Sequence, residues 1–197
     1  MKQLLAVAAL AFVFGACKKD DDTTTTQPTL SGYKVSFEIN GTKYTYSDGV
    51  GGYKDATSST IASGSPAGVF STFTKDANVS TEPNSISINK SGLSFSGSTC
   101  DNGTFQGFFT PGSYIYAGGL SPFGAGIVYY DDAGKGYASA LGSQGGSSFI
   151  ITKSKERKVG SKYYMDVSGT FECKVYPNSG TYLQIVNGSF NATYLNQ

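Results

Sequence analysis

The chain contains no histidine and no tryptophan among its 197 residues, and only three cysteines and six prolines. The missing imidazole removes the side chain most used as general base, nucleophile activator and metal ligand. Ser-His-Asp and Cys-His catalysis are excluded, and so is a His-based zinc site. No Cys-x-x-Cys pair is present. Charge bias is also absent, with 15 basic against 14 acidic side chains. Without a basic field, nucleic acid is not an expected partner. The longest apolar run is the eleven residues Leu4–Phe14. As a helix it would span about 16 Å, roughly half of a ~30 Å hydrocarbon core, which is too short for a transmembrane anchor.

That short run lies between Met1-Lys2-Gln3 and Gly15-Ala16-Cys17. A basic start, a brief apolar stretch and small residues at a cut point describe a secretory leader. The cysteine after the small pair resembles the lipobox of bacterial lipoproteins, with Phe14 standing where that family usually has Leu. The resemblance implies cleavage after residue 16 and acylation, palmitate included, of the Cys17 thiol. Two or more acyl chains anchor a protein stably where one does not. Lys18-Lys19-Asp20-Asp21-Asp22 resembles the acidic export signal beside the lipidated cysteine in Bacteroidetes surface lipoproteins. Asp22-Thr23-Thr24 is similar to the O-glycosylation sequon of the same bacteria, which implies a sugar on Thr23. Residues 17–32 are Thr-rich without apolar periodicity, and read as a flexible tether. The implied location is the outer membrane, lipid-anchored and exposed at the cell surface.

Residues 33–197 suit one domain. Gly at 26 residues, with 14 Tyr and 13 Phe, is the composition of many short strands joined by tight turns. Tyr33, Val35, Phe37 and Ile39 alternate with Lys34, Ser36 and Glu38, the period of a strand with one apolar face. Asn40-Gly41 then marks a hairpin, and Thr42–Tyr46 returns. Further strands are expected at Thr60–Ala62, Val69–Thr74, Ser85–Asn89, Leu93–Thr99, Phe105–Phe109, Tyr114–Ala117, Gly126–Tyr130 and Lys135–Ala140. Ser147–Thr152, a long Lys162–Tyr176 interrupted at Gly169, and a Tyr182–Val186/Phe190–Tyr194 hairpin turning at Asn187-Gly188 complete the set. With no long amphipathic pattern, about ten short strands predict an all-β fold: an antiparallel β-sandwich, immunoglobulin-like or jelly-roll-like.

Cys100 and Cys173 remain once Cys17 is acylated. In an oxidising envelope they could form a disulfide, or serve as two buried thiols filling apolar space. Carboxylates are the only catalytic groups left. Asp131-Asp132 reads as a hairpin tip rather than a calcium loop, and no pair among Glu38, Glu82, Glu156 and Glu172 suggests a glycosidase. Neither an enzyme nor a cofactor or metal is expected. Val167–Phe171, Gly180 and Ile185–Phe190 resemble the C-terminal hairpin of small uncharacterised Bacteroidetes lipoproteins, as do Phe109–Tyr114 and Tyr129–Tyr137. The resemblance implies a β-sandwich and no chemistry. The expected function is a lipid-anchored, non-enzymatic envelope module with a structural or protein-interaction role. The alternative is a carbohydrate-binding accessory lipoprotein that stacks sugars on Tyr114, Tyr116, Tyr129 and Tyr130, with Pro122 and Phe123 lining a groove. The partners would be the membrane through Cys17, and a glycan or another envelope protein.

Overall fold

The computed structural model describes residues 32–60, 67–76, 82–95, 99–117 and 123–196. Two antiparallel sheets pack face to face, as the alternation predicts. The first runs in the order β2 (Thr42–Ser47), β1 (Lys34–Ile39), β11 (Leu183–Asn196), β10 (Lys162–Val175), β9 (Ser148–Val159) and β6 (Gly112–Tyr114). The second runs β3 (Lys54–Thr60), β4 (Ala67–Thr74), β5 (Ser85–Leu93), β7 (Gly124–Tyr130) and β8 (Gly136–Ala138). Val35, Phe37, Met165, Val167, Phe171 and Ile185 from the first sheet meet Val69, Phe73, Ile86, Ile88 and Ile127 from the second in one buried core. Each fully buried side chain of this size contributes about 1.5–3 kcal/mol relative to exposure.

Asn40 and Gly41 take positive φ (50° and 78°) and close the β1–β2 hairpin as expected. Asn187-Gly188 is not a turn. It is a bulge inside one 14-residue strand, β11. Phe171 of β10 faces Gly188 while Cys173 faces Ile185, and on the other side Ser36 faces Ser189 while Glu38 faces Val186. The extra residue switches the inward parity, so that Ile185 and Phe190 both reach the core. Glycine is required at 188 because a Cβ there would stand 2.8 Å from the Phe171 ring.

Three other expectations are corrected. Asn102–Phe108 is a helix, α1, where a strand was expected. Asp101 caps it by accepting from the Thr104 N–H at 2.9 Å, and Phe105 and Phe109, one turn apart, both pack inward. Ser85–Leu93 is a single strand with no break at Lys90-Ser91-Gly92. The strand at Ser148 runs on to Val159, beyond the expected Thr152. No helix among the described residues is long and apolar enough to cross a membrane.

Candidate binding surfaces

Cys17, Thr23 and Pro122 lie outside the described residues. The expected aromatic group divides. Tyr129 is in the core, edge-on to Phe37 at 5.7 Å, so its ring offers no face to a ligand. Tyr116 is half-buried, and its hydroxyl donates to the carbonyls of Ser148 (3.1 Å) and Glu172 (3.2 Å), tying the segment after β6 to β9 and β10. Tyr130 is half-buried at one end of β7, its ring in the space a Cβ on Gly136 would need. Phe123, at the other end of β7, is 52% exposed and packs on Gly92. The intervening strand separates these two rings by about 20 Å.

Tyr114 belongs to a site that the sequence reading missed. β5 points Ile86, Ile88 and Lys90 inward, so a lysine occupies a core-facing position and is only 6% exposed. Its ammonium lies 3.5 Å from the Phe108 ring centroid and 4.2 Å from that of Tyr114. Burial alone pulls its pKa down to about 8, and no carboxylate opposes the shift. Cation–π attraction to two rings offsets part of the desolvation cost. The signal was present in Ser85-Ile86-Ser87-Ile88-Asn89-Lys90, where the lysine continues the apolar phase.

A second polar cluster sits where β3 crosses β11. Arg157 pairs with Asp166 at 3.0 Å and donates to the Thr193 hydroxyl at 3.1 Å, while the Tyr33 hydroxyl donates to Asp166 at 2.6 Å. Strand β1 last pairs with β11 at Asn191, leaving the N–H groups of Thr193 and Leu195 without a strand neighbour on that side. β3 side chains replace it: Thr193 donates to Asp55 (2.9 Å) and Leu195 to the Thr57 hydroxyl (2.9 Å). Ser71 donates to the other Asp55 oxygen at 2.5 Å. Burial pushes the Asp55 carboxyl up to about 7, against these two hydrogen bonds and with help from Asp48 and Asp166. Asp55 and Thr57 thus tie β3 of the second sheet to β11 of the first.

Asp131 and the two thiols are likewise engaged in structure. Asp131 accepts from the N–H groups of Ala133 and Lys135 and closes the β7–β8 turn. Cys100 and Cys173 are buried and unbridged. Cys173 faces Ile185, whereas the Cys100 carbonyl accepts from Asn196, eleven residues further along β11. That stretch of strand is about 35 Å long, far beyond the ~7 Å Cα separation a disulfide can bridge. No three His, Cys, Asp or Glu side chains gather among the described residues as a metal would need.

Two open surfaces among the described residues bear on binding. On the outer face of the second sheet, Phe70, Asn89, Gly126, Val128 and Ala138 line a groove of about 180 Å³. Asn89 lies flat there, in the space a Gly126 side chain would occupy. On the first sheet, β6 pairs with β9 only at Phe149–Ile151, so β9 from Thr152 to Val159 has no second strand beside it among the described residues. The chain matches no known protein family, no curated protein and no solved structure.

Proposed function

We propose that this chain is a lipid-anchored envelope protein, acylated at Cys17, whose β-sandwich works by binding another protein and not by catalysis. The observation that carries this reading is the contrast between spent and unspent groups. Asp55, Asp131, Asp166, Arg157 and both thiols are engaged in turns, sheet contacts or the core, while the Thr152–Val159 edge of β9 has no second strand beside it among the described residues. Acylation is tested by growing cells with an alkyne-bearing fatty acid and reading the label on the purified chain. Label lost in Cys17→Ser is the expected result. An unlabelled wild-type chain, or one retaining its leader, refutes the anchor.

A carbohydrate-binding reading is favoured by one observation, the groove over Gly126 with an aromatic ring and an amide beside it. This is not the tyrosine surface expected from the sequence. A glycan array on soluble protein decides it, with Asn89→Ala and Phe70→Ala expected to abolish any specific signal.

A further inference from the structure

Five of the chain's 15 basic residues fall within Lys153–Lys162: Lys153, Lys155, Arg157, Lys158 and Lys162. Arg157 is engaged by Asp166, but the four lysines are exposed. Glu156 is the one acid in this stretch, and its carboxylate accepts the Tyr163 hydroxyl at 2.9 Å. Thr152 is an extra residue in β9, since Ser168 faces Lys153 and Gly169 faces Ile151. Past this bulge, Lys153 and Lys155 stand on the outer sheet face opposite Ser168 and Asp166, and Lys158 projects from the other face opposite Tyr163. The outer flank of this edge therefore carries Lys153 and Lys155, whereas Lys158 shares the other face with Glu156. The edge is eight residues long, about 26 Å, which is enough for a full added strand.

Lysines along an edge are a common guard against self-pairing, because a second copy would bring lysine against lysine. The same charges select an occupant of opposite sign. We infer that the Thr152–Val159 edge of β9 receives an acidic, extended segment of a partner protein by strand addition. Backbone hydrogen bonds supply the attachment, and Lys153 and Lys155, which share one face, read carboxylates on alternate positions. This deepens the binding reading by naming the partner's chemistry, and it is independent of acylation.

The test uses the mature chain and a fluorescent eight-residue peptide alternating Glu and Val, followed by anisotropy and amide hydrogen exchange. The expected result is saturable binding that slows exchange within Thr152–Val159. Binding should weaken by about tenfold or more in Lys153→Glu/Lys155→Glu. Because these side chains are exposed, the variant should keep its fold, checked by its unfolding midpoint. A peptide of the same sequence with alternate amides N-methylated should not bind. Equal binding of the methylated peptide would overturn strand addition, leaving charge attraction alone. Stronger retention on anionic phosphatidylglycerol vesicles than on the peptide, or dimerisation of the chain through β9, would overturn the assignment of the occupant. A flat titration beside a positive glycan array would remove this inference while leaving a binding module.

Discussion

Asp55 makes the stability of this protein depend on pH in an interval where a histidine-free chain would otherwise be nearly silent. Its carboxyl group lies between Ser71 of β4 and the Thr193 N–H of β11, with Asp48, Asp166 and Tyr194 near enough to feel its charge. The ordinary value of 3.8 rises to about 7 on folding. The folded state thus binds the proton more tightly than the unfolded chain. The stabilisation from this group is complete below about pH 4, falls as pH rises, and is lost once pH passes about 7. Roughly three pH units at about 1.4 kcal/mol each set an upper limit near 4 kcal/mol. Urea unfolding at pH 4.5 and pH 7.5 measures it, an interval that stops short of the Lys90 transition. Asp55→Asn keeps an oxygen for Thr193 and an amide for the Ser71 hydroxyl, so the variant should fold and show little of this slope. A wild type equally stable at both pH values, or a variant with the same slope, would refute the reasoning.

Lys90→Met should stabilise the protein at pH 7 by about 1–3 kcal/mol, because it removes a buried charge and keeps the packed stem. The wild type, whose lysine is depressed to about 8, should instead gain stability as pH climbs from there toward 10.5; denaturant titrations of both proteins check this. Gly169→Ala would place a methyl 2.6 Å from the Phe190 ring and should cost about 1–3 kcal/mol, read as a lowered unfolding midpoint. Tyr46→Phe deletes a buried hydroxyl that has no hydrogen-bond partner among the described residues, and should leave stability unchanged or raise it by about 1 kcal/mol. Intact mass under non-reducing conditions should show both thiols free. A mass lighter by two hydrogens would contradict the placement of Cys100 and Cys173.

Where one physical rule decided an element, the sequence was sufficient. β1 and its Asn40-Gly41 turn follow from alternation and from two residues that tolerate positive φ. β10 follows from its apolar alternation, but the break expected at Gly169 is absent, since its inward parity never changes from Tyr163 to Val175 and its neighbours take the extra residues. Elements failed where two rules competed. Phe105 and Phe109 satisfy strand and helix spacing alike, and the Asp101 cap decided for the helix. Asn187-Gly188 suits a turn and a bulge equally, and only pairing with both β1 and β10 selects the bulge. The basic end of β9 has low intrinsic strand preference and forms because β10 lies beside it. Burial of the tyrosines was not legible for a related reason: the hydroxyls that suit sugar contact also suit a half-buried sheet, where Tyr114, Tyr116 and Tyr130 lie. Lys90 continues the apolar phase of β5, but Ser91-Gly92 beside it suit a connection as well as a strand.

The position of β11 governs when this architecture can assemble. It lies between β1 and β10, and its Asn191 amide holds the Gly32 carbonyl from 159 positions away. A polypeptide delivered amino end first, from a ribosome or through a translocation pore, has one lasting mate for β1, the hairpin strand β2, until that late segment emerges. Closure over such separations is entropically slow. The first sheet, unlike the second, can therefore close only after almost all of the chain has come through.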